Sequence, residues 1–196
     1  NLYNESIGLF TNHRLFAGYA YRLSIWRGKL AAGVSIGSLE QKFDGSKVEA
    51  EEAGDDAFPS SEVEGMGLDL TAGLHYTHRL FYIGLSMMHL TSPTIELGET
   101  NEIKIDPTYY FCSGCNIQLK NPLLSIQPSM QVMTDLQVWR ADFTVRGTYT
   151  YDEKRYYAGF TYSPMTSVAI LLGGEINSVS FGYAYELFTS GVGLIH

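Results

Sequence analysis

The chain has 196 residues, which suits one domain, and 45% of them are apolar, an ordinary share for a globular protein. Charged residues make up 17%, and the mixture of 14 Tyr, 10 Phe and 20 Gly is typical of all-β proteins. The net charge is −8 and the lysines and arginines are dispersed along the sequence, so nucleic acid, which needs grouped cations, is excluded as a partner. No apolar run reaches the ~18 residues of a transmembrane helix.

Ten segments alternate between apolar and polar or small residues with a period of two, which predicts ten β-strands and no helix. In residues 136–151, for example, Trp139 and Phe143 alternate with Arg140 and Asp142. In chain order, the ten segments are residues 15–26, 30–39, 68–78, 81–90, 109–119, 124–133, 136–151, 155–162, 167–176 and 178–187.

The connections between these segments alternate between short turns and longer links. The two longest links are residues 41–66 and 91–108, and both fall at the same end of the predicted sheet. Short periplasmic turns and long extracellular loops are the habit of outer-membrane barrels, and membrane strands need ~9–11 residues, as these segments have. We therefore predict an antiparallel transmembrane outer-membrane β-barrel in contact with lipid. The alternative is a soluble lipocalin-like barrel with its apolar face inward.

The polar faces of the predicted strands carry isolated charges. In a barrel that faces lipid, these charges line the interior, where unpaired charges are costly, so we expect them to pair with one another. This predicted lumen network consists of Arg22, Asp69, Arg140, Asp142, Arg146 and Glu186.

The link 41–66 is strongly acidic and is predicted to be an extracellular loop that contacts a partner. It contains Asp55, Asp56 and Phe58 as the candidate contact residues. Its acids do not have the spacing of an EF-hand calcium loop, so we predict no metal site there.

Three motifs with potential chemistry are better explained by strand structure. Ser35 in Gly33–Gly37 matches the G-x-S-x-G pattern, but no helix follows, as a nucleophile elbow requires. Cys112 and Cys115 form a lone C-x-x-C and would point to opposite faces of one strand, so we predict free thiols unless Gly114 breaks that strand. His75 and His78 also lie on opposite faces of a strand. We predict no catalytic residues, no metal and no cofactor.

Several stretches taken in order resemble the PorP/SprF family of outer-membrane proteins of the bacterial type IX secretion and gliding machinery. These stretches cover most of the chain and are FAGYAYRLSIWRGKLAAGVSIG, GDDAFP, LTAGLHYTHRLFYIGLSMMHLTSP, YYFCSGCNIQL, LLSIQPSM and YDEKRYYAGFTYSPMTSVAILLGGEINSVSFGYAYEL. Glu186 departs from the family pattern, in which an Asp is expected.

The resemblance implies a non-enzymatic role in protein secretion at the bacterial outer membrane. The implied partners are a periplasmic ring complex that contains a lipoprotein, and a secreted adhesin with a C-terminal secretion signal. The alternative function is a passive channel or transporter for a small or lipophilic solute. Because the sequence starts at Asn1 without Met and stops at His196 without an evident terminus, we expect residues 1–196 to be a single barrel domain truncated at both ends and part of a somewhat larger barrel.

Overall fold

The computed structural model describes residues 2–44, 62–97, 101–177 and 179–190, and within these ranges it contains strands and turns but no helix. All ten predicted strands are present, so the all-β prediction is confirmed. The strands are β1 (Leu2–Ile7), β2 (Phe10–Ile25), β3 (Gly28–Asp44), β4 (Glu62–Thr77), β5 (Phe81–Met88), β6 (Thr94–Leu97), β7 (Asn101–Lys104), β8 (Thr108–Cys115), β9 (Ile117–Gln118), β10 (Leu124–Thr134), β11 (Trp139–Tyr151), β12 (Lys154–Ser163), β13 (Ser167–Ile176) and β14 (Val179–Phe188).

Most strands pair with their neighbours in sequence, as in an antiparallel meander. The main sheet has the order β1-β2-β3-β4-β5-β8-β10-β11-β12-β13-β14, and β9 pairs with β10 at its side. From β10 to β14 the register is continuous and antiparallel, as at Val145–Phe160 and Ile170–Tyr185. No helix in the described part of the chain has the length and apolarity needed to cross a bilayer.

Strands β3 and β4 are longer than the sequence pattern indicated. They have 17 and 16 residues and occupy both ends of the predicted loop 41–66. Charged residues obscured the alternation there, but Leu39 and Phe43 are buried. Between them, the Lys42 Nζ lies 3.3 Å from Glu40 Oε1 and 2.8 Å from Glu64 Oε2. The predicted bounds of that loop were therefore wrong at both ends.

The link 91–108 contains two strands that the sequence pattern did not predict. It contains the hairpin β6–β7, paired through Ile95–Ile103 and its neighbours. Ile95 is 2% exposed and packs with Leu39, so the hairpin contributes to a buried apolar cluster. The partly buried residues packed against this cluster are Phe16, Val63, Ile103 and Ile105. Each of these strands has four residues, so its alternation of apolar and polar residues is too short to be recognised in the sequence.

The predicted strand 109–119 is divided into β8 and β9. The two parts keep one register against β10, since Ser129 pairs with Gly114 and Ile126 with Ile117. Pro128 lies between them and has no amide hydrogen to donate to a ladder. The amide of Asn116 instead donates to the Leu80 carbonyl oxygen at 2.7 Å.

The chain divides into two compact units. The first comprises Asn1–Tyr21, Ala32–Gly73 and Ser86–Thr108, and the second comprises Arg22–Ala31, Leu74–Leu85 and Tyr109–His196. The first unit contains the buried apolar cluster, and the second contains the sheet from β10 to β14.

One face of the sheet exposes large apolar side chains. On β11 the exposed fractions are 68% for Trp139, 45% for Phe143 and 53% for Val145, and similar residues are exposed on β2–β5 and β12–β14. Exposed apolar area on this scale marks a surface that meets lipid or protein. It argues against the lipocalin-like alternative, in which these side chains would form a buried core.

Candidate functional site

The face opposite the exposed apolar residues is here called the polar face, and it is best defined on β11–β14. Cross-strand register places polar and small residues in rows on it, for instance Thr144 against Thr161, whose hydroxyls are 2.8 Å apart. Because side chains alternate along each strand, Asp142 and Arg146 share this face with Thr144. The rows continue through Ser163, Ser167, Glu186, Arg155, Glu175 and Ser180.

A charged cluster lies where β11–β14 approach the turn between β12 and β13. The Arg140 Nε lies 3.1 Å from Asp142 Oδ1, which also accepts a hydrogen bond from the Ser163 hydroxyl at 2.5 Å. The Ser167 hydroxyl donates to Glu186 Oε1, and that oxygen lies 3.8 Å from Arg140 Nη2. The cluster thus brings together three of the six residues in the predicted lumen network.

The two serines make this cluster a fixed arrangement. Ser163 and Ser167 are 2% and 1% exposed, so each carboxylate is held by a buried hydroxyl as well as by one shared guanidinium. Both hydroxyls are donors to carboxylates, and hydrogen bonds to an ionised acceptor are among the stronger ones. The arrangement fixes side chains across four strands.

Arg146 lies further along the polar face, in a cavity of about 520 Å³. Its Nε donates to Gln127 Oε1 at 2.9 Å, and its guanidinium stacks 5.4 Å from the Tyr157 ring centroid. Arg155 lines the same cavity and has its Nη1 3.7 Å from Glu175 Oε2. The cavity therefore has a charged, hydrogen-bonding wall with a net charge of one positive unit from these three ionised groups.

A glycine pair makes room for the aromatic ring in this wall. Gly173 and Gly182 are cross-strand partners, and Tyr157 lies over both. A Cβ at Gly182 would be 2.8 Å from the Tyr157 hydroxyl, and one at Gly173 would overlap the ring itself. The glycines are required by this close approach, as in other strands where a ring covers glycine.

Asp69 belongs to the first unit and has a different partner. It is 1% exposed, and its Oδ2 lies 2.9 Å from His89 Nδ1. The contact lacks hydrogen-bond geometry, so both carboxylate oxygens are without a hydrogen-bond donor in the described residues. The contact is therefore a close approach of the half-buried imidazole to a fully buried carboxylate. Arg22 is exposed and has no ion pair within the described ranges.

Of the motifs attributed to strand structure, Ser35, His75 and the two cysteines lie on strands, whereas His78 follows the last residue of β4, so its predicted place on a strand face was wrong. The Ser35 hydroxyl, in the middle of β3, donates to the Ala17 carbonyl oxygen at 3.2 Å. His75 contacts the Thr77 hydroxyl at 3.1 Å through Nδ1. Cys112 and Cys115 are free thiols on β8, as predicted.

In the ranges that the structure describes, no group of three or more His, Cys, Asp and Glu side chains has a geometry that could hold a metal ion. Asp55, Asp56 and Phe58 lie outside the described residues.

Sequence reasoning missed the uncharged members of these sites. Gln127 was interpreted as an ordinary polar-face residue and Ser163 as part of a link, while Ser167 and His89 were interpreted only as strand residues. The turn signal at Pro164, between the two serines, places them side by side when the hairpin closes. No comparable signal marks His89, because it leaves β5 through a left-handed conformation with φ 57°.

An antiparallel sheet with an exposed apolar face, and with its charges held on the opposite face, defines the membrane proteins that cross a bilayer with strands. A family model described as "Type IX secretion system membrane protein PorP/SprF" matches residues 1–194. The chain belongs to the PorP/SprF family, a family of outer-membrane β-barrels and membrane components of type IX secretion. The match confirms the resemblance and the fold class. Comparison with curated proteins and with solved structures found no match.

Proposed function

We propose that this protein is a non-enzymatic outer-membrane component of type IX secretion that docks or anchors exported adhesins and contacts the periplasmic ring. The observation that carries the proposal is the family match over residues 1–194. The structural support is the charged cluster, in which serine hydroxyls are donors to carboxylates. An arrangement of this kind fits a rigid scaffold.

We further propose that residues 1–196 form one barrel domain whose apolar face contacts lipid and whose polar face lines the interior. In this arrangement, Arg140 pairs with both Asp142 and Glu186, while Arg146 and the buried Asp69 have partners of their own. Pairing inside a confined interior supports the assignment because an isolated charge there is costly. Arg22 is the exception and would remain hydrated.

The lengths of the loops suggest which partner contacts each end of the barrel. We propose that the acidic loop within residues 41–66, including Asp55, Asp56 and Phe58, contacts the secreted adhesin. The short turns at the other strand ends would face the periplasm and the ring. An acidic loop favours a cargo surface of opposite charge.

The proposal is tested by purifying the full-length protein in mild detergent from native outer membranes and identifying the co-purifying proteins by mass spectrometry. We expect type IX secretion components, among them the ring lipoprotein and an adhesin with a secretion signal. The variant Asp55→Asn/Asp56→Asn/Phe58→Ala should lose the adhesin and retain the ring. The matched variant Asp152→Asn/Glu153→Gln, in a short turn, should retain the adhesin. Recovery of the protein without any co-purifying secretion component would contradict the proposal.

The alternative function, a passive channel, is favoured by one observation, the polar cavity of about 520 Å³ beside Arg146 and Arg155. A channel predicts conductance in planar bilayers that falls or changes ion selectivity when both arginines are replaced by alanine. A scaffold predicts no conductance in either form.

A further inference from the structure

Two short turns of the second unit form one surface. The turn between β2 and β3 contains Trp26 and Arg27, and the turn between β4 and β5 contains His78 and Arg79. The Tyr76 hydroxyl, at the end of β4, donates to the Trp26 carbonyl oxygen at 2.8 Å. A Cβ at Gly28 would lie 2.6 Å from the Thr77 carbonyl oxygen, so glycine is needed for the two turns to approach.

This surface is basic and contains an exposed tryptophan. A cavity of about 590 Å³ is lined by both turns and includes the five residues that we call the basic turn patch: Trp26, Arg27, Lys29, His78 and Arg79. None of the residues that line the cavity is Asp or Glu. Three permanent cations are thus gathered in a protein whose net charge is −8, which favours a partner with negative charge.

The turn at Trp26 and Arg27 has residues that its backbone does not favour. Their φ angles are 48° and 61°, the left-handed conformation that two-residue hairpin turns require. Asn-Gly and Asp-Gly suit this geometry, whereas a bulky side chain there is strained. Trp26 is also 81% exposed, so packing within the chain does not offset the strain. A strained residue whose side chain is exposed is a candidate for a role in recognition.

We infer that the basic turn patch binds an acidic segment of a protein partner, with Trp26 as the anchor and Arg27, Lys29 and Arg79 as the charge complement. Tryptophan and arginine are the residues most enriched at energetically dominant positions of protein interfaces. Placement at the tips of two turns extends these side chains past the ends of the strands, toward a partner beyond the sheet. The inference rests on the proposed function insofar as the partner belongs to the secretion machinery.

The test uses the full-length protein in detergent and a short fluorescein-labelled peptide of alternating aspartate and glycine, followed by fluorescence anisotropy. We expect saturable, salt-sensitive binding that weakens about tenfold or more in Arg27→Glu/Arg79→Glu, because like charges then face each other. In a Trp139→Phe background Trp26 is the sole tryptophan of residues 1–196, and its emission should change on peptide addition.

The decisive variant converts the strained turn into a favoured one. Trp26→Asn/Arg27→Gly should resist thermal unfolding at least as well as the unmodified protein and should lose the peptide. The turn at Asp152 and Glu153 has the same backbone geometry, with φ 49° and 60°, and offers the matched control Asp152→Asn/Glu153→Gly. The control should keep peptide binding.

Peptide binding that is equal in all variants would overturn the inference. A Trp26 emission change with phosphatidylglycerol vesicles, absent with phosphatidylcholine vesicles and absent with the peptide, would overturn it in favour of lipid headgroups.

Co-purification distinguishes a failure of this inference from a failure of the proposed function. If the unmodified protein and Trp26→Asn/Arg27→Gly retain secretion components equally, the patch is not the contact and the proposed function stands. If neither protein recovers a secretion component while the unmodified protein still binds the peptide, only the proposed function is contradicted.

Discussion

At the scale of single residues, the buried pair of Asp69 and His89 illustrates how an irregular backbone creates a site. His89 follows β5 with φ 57°, and Ser92 closes the turn by donating its amide to the His89 carbonyl oxygen at 2.9 Å. The Thr91 hydroxyl donates to the Leu68 carbonyl oxygen at 2.8 Å and fixes the turn on β4. The imidazole is thereby held against a carboxylate that is 1% exposed.

Replacing the two partners separately should have unequal effects. His89→Ala leaves the buried Asp69 carboxylate without its partner, and we expect a loss of about 3 kcal/mol in the free energy of unfolding. Asp69→Ala should cost less, because a neutral imidazole tolerates burial better than a carboxylate does. The measurement is urea unfolding of the full-length protein in detergent micelles. Equal losses, or a smaller loss for His89→Ala, would contradict this view of the pair.

At the scale of elements, the turn between β10 and β11 is stabilised by side chains. Asp135 Oδ1 accepts hydrogen bonds from the Val138 and Gln137 amides at 2.7 and 3.0 Å. The Thr134 hydroxyl donates to the Val138 carbonyl oxygen at 2.7 Å. These contacts accommodate Leu136, whose φ is 73°. The backbone amide of Val138 first, and then that of Gln137, lower the pKa of the Asp135 carboxyl below its ordinary 3.8.

The stability of this turn should therefore decrease at acid pH. Because the pKa is lower in the folded state, the contribution of Asp135 is complete above pH 3.8 and is lost as the pH falls through the folded-state pKa. We expect Asp135→Ala to expose the Gln137 and Val138 amides to exchange at neutral pH. Asp135→Asn should keep part of the protection, because its amide oxygen still accepts hydrogen bonds. Hydrogen exchange followed by mass spectrometry measures this, and unchanged exchange in Asp135→Ala would show that the backbone alone holds the turn.

At the scale of the whole molecule, the two faces of the sheet should differ in their tolerance of charge. Leu171 and Leu172 are consecutive on β13 and point to opposite faces; Leu172, on the apolar face, is 49% exposed. Cross-strand register places Leu171 beside Gly159 and Ala184 on the polar face, and Leu172 beside Ala158 and Tyr183 on the apolar face.

Leu172→Arg should impair insertion into lipid vesicles by about 2–4 kcal/mol, the cost of arginine on the lipid face of a barrel near the bilayer midplane. Leu171→Arg is the matched control and should insert nearly normally, since it adds a charge to a polar surface. Folding is followed by the change in electrophoretic mobility between heated and unheated samples. Equal impairment by the two variants would contradict the assignment of the faces.

Alternation of side chains by itself determined the all-β class, the ten main strands and the apolar face, because side-chain direction in a strand has a period of two and needs no knowledge of neighbours. The ordered stretches also sufficed to recognise the family. The same local logic extends to Cys112 and Cys115, which alternation placed on opposite faces.

Tertiary structure alone decided which polar residues meet, because a strand pattern gives the face of a residue but not its partner across the sheet. Register joined Asp142 to Ser163 and Glu186 to Ser167, and a left-handed residue brought His89 to Asp69. Arg27 and Arg79 are 52 positions apart in a sequence whose cations are dispersed, yet the approach of two turns gathers them in one patch. Pairing, register and the approach of turns depend on contacts between distant segments, and those contacts are fixed only when the sheet forms.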